Sequence, residues 1–260
     1  MKVVILAGGY GTRISEHTDT IPKPMIEING LPIIIHIMNI YSTFGHNDFY
    51  IALGYKSKVI KDYFLNYQSL GSDISLNFKN GDKHFYNSYA KNWKINLIET
   101  GNDSKTGTRL KKLKKYLKDD RFFLTYGDGL ADINLDKLLK FHIKKNKKAT
   151  LTAVRPNVRF GEINIDKKSK NVNKFYEKKQ LTEGWINGGF FVFEPEIFEY
   201  LSNKNIMLEQ EPMNLLTKKQ QLVAYQHKSF WQCMDTKREH EYLNELSKLK
   251  NIPWVFENKP

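Results

Sequence analysis

The sequence predicts an α/β fold whose mixed, mostly parallel sheet carries helices on both faces. Three observations support this prediction. Residues 3–7 form a short apolar run that ends in glycines, as in a parallel strand buried on both faces. Strand-like and helical patterns then alternate, which is the rhythm of parallel strands joined by crossover helices. A length of 260 residues also suffices for one α/β domain to bury a substantial core.

The first half of the chain supplies this alternation. Pro32 and Gly45 act as start and stop signals of the first helix, and Ser57 is a predicted helix cap. In chain order, we predict a helix over 32–44, a strand over 48–53, a helix over 57–67, a strand over 95–99, a helix over 107–117, a strand over 121–126 and a helix from residue 134.

The second half is richer in strand patterns. Short turns separate strand-like segments at 149–154, 162–165, 172–177 and 186–193. The chain ends in an amphipathic helix predicted over 236–249, whose one side carries Tyr242, Leu243, Leu246 and Leu249. We therefore expect a small β-rich part after the parallel sheet, and then a terminal helix.

Composition excludes several classes of protein. With 40% hydrophobic and 13% aromatic residues, the chain is too apolar for a disordered protein. No run of eighteen apolar residues suggests a membrane span, and Met1 leads directly into a strand rather than an export signal. The single cysteine, Cys233, forms no intramolecular disulfide. We predict a soluble protein of the reducing cytoplasm.

A net charge of +13 suits nucleic acid, an anionic membrane or a phosphorylated small molecule. In residues 110–118 successive leucines are three and four residues apart, so the lysines lie on the solvent-facing side of a helix. A second lysine cluster, at 144–148, ends a helix, where cations offset the helix dipole. Both clusters have structural explanations, and we predict no nucleic-acid or membrane partner.

A glycine loop, Leu6-Ala7-Gly8-Gly9-Tyr10-Gly11-Thr12-Arg13, follows the first strand directly. Ligands of α/β sheets bind at this edge, where glycine backbone can approach phosphate oxygens and an arginine can clamp them. The alternative is a plain tight turn. The loop is neither the dinucleotide fingerprint nor an NTPase phosphate loop, because its glycine spacing and ending differ from both.

Three charged residues stand at special positions. Lys23 lies between two prolines that stiffen the backbone, and Asp128 lies between two glycines just after a hydrophobic strand. Asp235 precedes the last helix. The alternatives are a solvated turn lysine, a turn-forming aspartate, and Asp235 or Thr236 as a helix cap. Carboxylate oxygens at such an edge suit magnesium.

Together, Gly-Gly-x-Gly-Thr-Arg and the later Lys-Pro resemble the sugar-1-phosphate nucleotidyltransferase family, also called nucleoside-diphosphate-sugar pyrophosphorylases. The resemblance implies the Rossmann-like nucleotide-diphospho-sugar transferase fold with a small β-rich sugar-binding part. It also implies a single domain over 1–260, with a nucleotide-binding half at 1–135, a sugar-phosphate-binding half at 136–236, and a C-terminal helix and tail at 237–260.

The resemblance also assigns roles to residues. Lys23, Arg13 and Asp128 would be catalytic, and Asp128 and Asp235 would hold Mg²⁺. The nucleotide would be bound by Leu6, Ala7, Gly8, Gly9, Gly11, Thr12, Arg13, Lys23, Gly107, Arg109 and Asp128. The sugar phosphate would be bound by Tyr126, Gly161, Glu177, Lys178, Asn187 and Gly188.

Further motifs are similar to the glucose-1-phosphate cytidylyltransferase branch, among them Tyr-Gly-Asp-Gly at 126–129, Asn-Gly-Gly-Phe-Phe at 187–191 and Met-Asp-Thr at 234–236. This implies transfer of CMP from CTP to α-D-glucose 1-phosphate, giving CDP-glucose for bacterial surface-polysaccharide deoxysugars, in a homo-oligomer. The chain departs from the branch at Ile21, Thr108 and Cys233, where lysine, glycine and proline are usual. Ile21 removes a positive charge near the expected triphosphate site.

Several alternatives remain open. The enzyme could transfer a uridylyl or thymidylyl group or use another sugar 1-phosphate, and a silent sugar-nucleotide-binding paralogue is the non-enzymatic alternative. Cytosine would be read by Arg109 or by backbone near Gly107. The polar, aromatic segment 71–93 contains Phe85, Tyr86, Tyr89 and Trp93, which predict a subunit interface or an insertion packed on the core.

Overall fold

The computed structural model describes residues 1–14, 18–86, 91–156, 162–166, 168–176 and 184–256. The strands of this part are β1 (Lys2–Leu6), β2 (Glu27–Ile28), β3 (Leu31–Pro32), β4 (Asp48–Leu53), β5 (Asp73–Asn77), β6 (Asp82–Tyr86), β7 (Lys94–Glu99), β8 (Phe122–Tyr126), β9 (Gly129–Ala131), β10 (Ala149–Val154), β11 (Glu162–Ile165), β12 (Val172–Tyr176), β13 (Ile186–Phe193), β14 (Leu222–Gln226) and β15 (Trp231–Cys233).

The α-helices of the same part are α1 (Ile33–Thr43), α2 (Ser57–Leu65), α3 (Tyr67–Leu70), α4 (Thr106–Lys112), α5 (Lys114–Leu117), α6 (Leu135–Lys145), α7 (Glu211–Lys218) and α8 (Lys237–Leu246). Short 3₁₀ helices lie at Thr12–Ile14, Lys23–Met25 and Pro195–Tyr200. None of the helices in the described ranges combines the length and apolar character needed to cross a bilayer.

The central sheet has seven strands in the order β14-β10-β13-β8-β1-β4-β7. Strand β13 runs antiparallel to both neighbours, whereas every other neighbouring pair is parallel. The prediction of a mixed, mostly parallel sheet is therefore confirmed. Because β10, β13 and β14 join the same sheet as β1, the two expected halves share one sheet, and the boundaries between them stay predictions.

Strand β1 shows why the sequence begins with a continuous apolar run. Val3 and Ile5 point into one buried layer, together with α1, while Val4 and Leu6 point into the opposite layer, together with α4 and α5. Each such side chain stabilises the fold by about 1.5–3 kcal/mol when fully buried. The alternating directions of a strand thus place apolar residues in both cores, and both faces of the sheet are covered.

The direction of the strands shows which edge of the sheet is the expected ligand-binding edge. Strands β8, β1 and β4 are parallel neighbours, so their carboxyl ends lie at the same edge. The chain leaves β1 into the glycine loop and leaves β8 into Gly127 and Asp128. Two segments far apart in the sequence therefore emerge side by side.

Several details differ from the predicted helices. The helix predicted over 107–117 is divided at Leu113 into α4 and α5. The helix predicted over 57–67 ends at Leu65, and its first residue, Ser57, is not its cap, because Lys56 takes the cap position in a left-handed conformation. The last helix, α8, ends at Leu246, and of its predicted apolar side Leu243 is buried whereas Tyr242 is exposed.

The lysines predicted to face solvent on α4 and α5 divide into two groups. Lys114 and Lys115 are exposed, as expected. Lys111 and Lys112 instead donate hydrogen bonds to backbone carbonyl oxygens, those of Leu201 at 2.9 Å and Thr100 at 2.7 Å. These two lysines therefore also fasten the helix to neighbouring loops.

The segment 71–93, predicted to be a subunit interface or an insertion packed on the core, contains an exposed antiparallel hairpin, β5–β6. Its tip residue Phe78 is 94% exposed, and Tyr86 is also exposed. Trp93, by contrast, packs against the core with its ring 5.9 Å from that of Phe49. Tyr89 lies outside the described residues. The segment thus combines a projecting hairpin with an anchor on the core.

Candidate functional site

The glycine loop is fastened to the strand beside it. Ala7 N donates a hydrogen bond to Ala52 O at 3.1 Å, and Tyr55 N donates one to Gly8 O at 3.2 Å. Gly11 has a φ of +67°, which few side chains tolerate. Around Gly9 a Cβ atom would meet nothing within 4 Å, so this part of the backbone is open to a ligand. The loop is rigid at its start and accessible at its turn.

Arg109 forms the floor beneath this loop. Its side chain is buried, with 3% of the residue exposed. The terminal nitrogens donate to protein oxygens, namely Gly8 O at 2.6 Å, Thr100 Oγ1 at 2.7 Å, Gly101 O at 2.7 Å, Leu53 O at 2.9 Å and Asn102 O at 2.9 Å. Burial lowers the pKa of the guanidinium. These contacts fix the loop, and a direct contact between Arg109 and a base stays a prediction.

Lys23 joins the two predicted metal-binding carboxylates. Its Nζ donates to Asp128 Oδ2 at 2.6 Å and also donates to Asp235 Oδ1. Arg13 NH1 donates to the second oxygen of Asp235 at 2.5 Å. Four residues chosen from separate motifs of the sequence therefore meet at one point, at the carboxyl edge of the sheet.

The environment of Lys23 favours its charged form. The side chain is only 10% exposed, and burial alone would lower its pKa. The carboxylates of Asp128 and Asp235 outweigh this effect, and the pKa of Lys23 is raised. Pro22 and Pro24 flank the residue in a 3₁₀ turn that restricts its backbone. At neutral pH the site holds a fixed ammonium group.

Two local features position the aspartates. Strands β9 and β15 pair, and Met234 N donates to Asp128 O at 2.9 Å, so the two aspartate segments lie side by side. Thr236 caps α8, in a reciprocal capping box with Glu239. Glu239 also accepts from Asp235 N at 2.7 Å. Of the two residues considered as the helix cap, Thr236 takes that role and leaves the Asp235 carboxylate to the site.

The pair of carboxylates fits a divalent cation. Both offer hard oxygen ligands, and both already bind positive charge from Lys23, which shows that the site favours a cation. Within the described ranges no group of three or more His, Cys, Asp and Glu could hold a metal by itself. A cation held here would therefore need further ligands from a bound phosphate, as magnesium sites commonly use.

A cavity of about 540 Å³ opens above these residues. Its volume is in the range of small-molecule sites. The predicted site residues that line it are Leu6, Ala7, Gly8, Gly9, Gly11, Arg13, Lys23, Arg109, Tyr126, Asp128 and Asn187. The structure thus brings most of the expected nucleotide residues and part of the expected sugar residues into one cavity.

The remaining predicted residues lie in other positions. Thr12 is exposed beside the loop, and Gly107 donates its amide to Ile206 O at 3.1 Å, away from the cavity. Gly188 is buried and accepts from the Trp231 indole at 2.7 Å. Gly161, Glu177 and Lys178 lie outside the described residues, and their roles stay predictions.

Part of the cavity wall was not predicted from the sequence. Ser104, Thr106 and Glu209 line it together with Lys105 and Met207. Thr106 is the neighbour of Gly107, which was predicted to bind the nucleotide, so its position could have been predicted. Glu209 lies in a loop before α7, outside every motif and predicted element, and only the tertiary fold brings it to the site.

The three residues that depart from the pattern of the cytidylyltransferase branch each contact a defined part of the structure. Ile21 packs against the core, and Thr108 Oγ1 accepts a hydrogen bond from Ile206 N at 3.0 Å. Cys233 lies in β15, with its Sγ 3.9 Å from Asp235 Oδ2, and burial raises the pKa of this thiol to about 12. The thiol is therefore protonated at neutral pH.

The chain is similar to known proteins over almost its whole length. Residues 2–244 match the model of the nucleotidyl transferase family. The chain is 45% identical to glucose-1-phosphate cytidylyltransferase of Salmonella typhimurium, over 98% of both chains. It is 42% identical to a probable glucose-1-phosphate cytidylyltransferase of Bacillus subtilis, over 96% of both. Among solved structures, HddC from Yersinia pseudotuberculosis has a TM-score of 0.69 at 24% identity, covering 95% of this chain and 99% of that one, which shows a shared fold.

Proposed function

Because the chain belongs to the nucleotidyl transferase family, we propose that it transfers CMP from CTP to α-D-glucose 1-phosphate and releases pyrophosphate. The product is CDP-glucose. The observation that carries the proposal is the meeting of Lys23, Asp128 and Asp235 beside the glycine loop. Full-length relatives named for this activity support the choice of base and sugar.

The reaction is an in-line displacement. A phosphate oxygen of glucose 1-phosphate attacks the α-phosphorus of CTP, and the bond from that phosphorus to the bridging oxygen of the β-phosphate breaks. Pyrophosphate leaves with the bonding electrons. The attacking phosphate is largely a dianion near neutral pH, so no general base has to remove a proton. Catalysis therefore rests on positioning and charge neutralisation.

The residues around the cavity supply these two effects. Backbone amides of the glycine loop and the Arg13 guanidinium hold the triphosphate. Lys23 is fixed between two carboxylates, and its ammonium bridges the attacking and leaving groups. Because these charges are in place before the substrates arrive, little reorganisation is needed as the transition state forms.

We assign a divalent metal, Mg²⁺, to Asp128 and Asp235. When bound, it supplies positive charge that neutralises the triphosphate. The two carboxylates would hold it, and the β9–β15 pair and the capping box position the backbone segments that carry them. Glucose 1-phosphate binds toward β13, near Tyr126 and Asn187. By resemblance it also binds near Gly161, Glu177, Lys178 and Gly188.

The experiment that tests this proposal is a substrate panel. The purified protein with Mg²⁺ is given CTP, UTP, dTTP or GTP with the 1-phosphates of glucose, galactose or mannose, and released pyrophosphate is measured. We expect CTP with glucose 1-phosphate to exceed every other pair by about 100-fold in kcat/KM. A preference for UTP or dTTP would show that the enzyme transfers a uridylyl or thymidylyl group rather than a cytidylyl group. Absence of turnover with every pair would favour the silent sugar-nucleotide-binding alternative.

We also propose that the protein is a homo-oligomer of the reducing cytoplasm, supplying deoxysugar synthesis for bacterial surface polysaccharides. The hairpin β5–β6 supports self-association, because Ile74, Leu76, Phe78 and Tyr86 expose apolar surface on it. Sedimentation of the protein and of Phe78→Ser tests this. A monomeric wild-type protein would contradict it.

A further inference from the structure

The carboxylate of Glu209 connects two walls of the cavity. Its Oε1 accepts a hydrogen bond from the Tyr126 hydroxyl at 2.5 Å. Its Oε2 accepts one from the Thr106 hydroxyl at 2.6 Å. Tyr126 ends β8, directly before the Asp128 segment, and Thr106 begins α4. One half-buried side chain from the loop before α7 therefore touches elements that are distant in the sequence.

These contacts form a chain of hydrogen bonds with one direction. An ionised carboxylate only accepts, so both hydroxyls must donate to Glu209. The Tyr126 oxygen then acts as the acceptor for Asn187 Nδ2 at 3.0 Å. On the other wall, Thr106 Oγ1 accepts from Leu208 N at 2.9 Å. The hydroxyls of Tyr126 and Thr106 therefore each donate one hydrogen bond to Glu209 and accept one from a different group.

The amide of Asn187 is oriented by the same chain. Its Oδ1 accepts from Gly189 N at 2.9 Å, which decides which end of the amide is oxygen. One hydrogen of Nδ2 goes to Tyr126, and the second is given no acceptor by the described residues. Asn187 lines the cavity, so this second N–H is a donor presented to a ligand.

The topology identifies which ligand meets this donor. Asn187 lies on β13, which is the neighbour of β8 on the side away from β1 and its glycine loop. In the proposed function, the phosphates of the nucleotide bind at the β1 side, along the glycine loop. A donor at the β13 side meets the second reactant, and a fixed N–H suits a hydroxyl oxygen of a hexose.

We infer that Glu209 is a positioning residue for the sugar phosphate, acting through Tyr126 and Asn187. The inference rests on the proposed function, whose second substrate it concerns. The Tyr126 hydroxyl donates to Glu209 and accepts from Asn187, so the hydrogen-bond chain between these residues has one direction.

Glu209→Gln tests this directly. The glutamine keeps the size but puts an NH₂ group where one carboxylate oxygen accepted, so one hydroxyl faces a donor. We expect the KM for glucose 1-phosphate to rise about tenfold, as when a hydrogen bond to a charged group is lost, while the KM for CTP stays within about twofold. Tyr126→Phe should show the same split, and the double variant should lose little more than either single variant.

Glu211→Gln is the matched control, because Glu211 is an exposed carboxylate two residues away at the start of α7. It should leave both KM values unchanged. If Glu209→Gln raises the KM for CTP as much as that for glucose 1-phosphate, or changes neither, the inference is wrong, as it is if the two single effects simply add. Should Glu209→Gln fail to fold, Tyr126→Phe decides alone. A wild-type protein without cytidylyl transfer would instead contradict the proposed function.

Discussion

Asp128 and Asp235 share one counter-ion, because the Lys23 ammonium group donates a hydrogen bond to each of them. The two aspartates come from segments joined by the β9–β15 pair, and the lysine comes from a proline-flanked turn near the start of the chain. The ammonium thus lies between the carboxylates, and the negative charge of these two groups would also attract a divalent cation. Lysine and metal compete for the same negative charge.

This competition predicts the metal affinity of the nucleotide-free protein. Replacing Lys23 by Gln removes the competing cation, so Mn²⁺, used in place of Mg²⁺, should bind about tenfold more tightly in calorimetric titrations. Asp128→Asn provides the opposite control and should weaken binding. An unchanged Mn²⁺ affinity in Lys23→Gln would show that the ammonium does not weaken cation binding in the nucleotide-free protein.

Two neighbouring glycines are predicted to respond differently to alanine. At Gly8 a Cβ would lie 2.2 Å from an Arg109 nitrogen and 2.9 Å from Gly54 N, so Gly8→Ala should lower the free energy of unfolding by about 1–3 kcal/mol. At Gly9 a Cβ would meet nothing within 4 Å. Gly9→Ala should preserve stability and raise the KM for CTP, because the methyl group obstructs the triphosphate. Urea unfolding and steady-state kinetics measure both effects, and equal destabilisation would contradict the geometry.

Arg109 is predicted to be as important for stability as for the nucleotide. Arg109→Lys keeps the charge but cannot reach all the oxygens that the guanidinium contacts, so the free energy of unfolding should fall by about 2–4 kcal/mol. Arg238→Lys is the matched control, since Arg238 is exposed on α8. Chemical denaturation of both variants checks this. Equal stability of Arg109→Lys and wild type would mean that the observed contacts contribute little.

The sequence predicted most of the central sheet because its signals are local. Strands β4, β10 and β13 have the predicted bounds, whereas the edge strand β14 was not predicted. Helix ends were less predictable. The break at Leu113 and the left-handed Lys56 depend on neighbouring segments, which no local pattern records.

The candidate site also combines residues that could be predicted from the sequence with residues that could not. Lys23 belongs to a proline-flanked motif, and Asp128 and the loop at 6–13 belong to glycine motifs, so these could be selected from the sequence. Glu209 could not, because its neighbours Thr106 and Tyr126 are about a hundred residues away and nothing in the loop before α7 marks it. The second role of Arg109, as support for the loop, also appears only when the distant carbonyl groups converge.

Stability should depend on pH through His142, which is buried against Thr150 and Glu194, with Arg121 beyond that carboxylate. Burial lowers the pKa of His142, although Glu194 partly opposes this. As pH falls below the unfolded value of 6.5, the unfolded chain takes up a proton first. The free energy of unfolding should therefore decrease from pH 7.5 to pH 5.5 and level off below the folded pKa. Urea unfolding should show a smaller decrease in His142→Gln, and an equal decrease would contradict the assignment.

The most direct test of the central claim is the turnover of Asp128→Ala and Asp235→Ala with CTP, glucose 1-phosphate and saturating Mg²⁺. If the two carboxylates together fix the cation and Lys23 at the reacting phosphates, each variant should lose about 10²- to 10³-fold in kcat/KM while remaining folded. Near-wild-type rates of pyrophosphate release in both variants would contradict this account of the site.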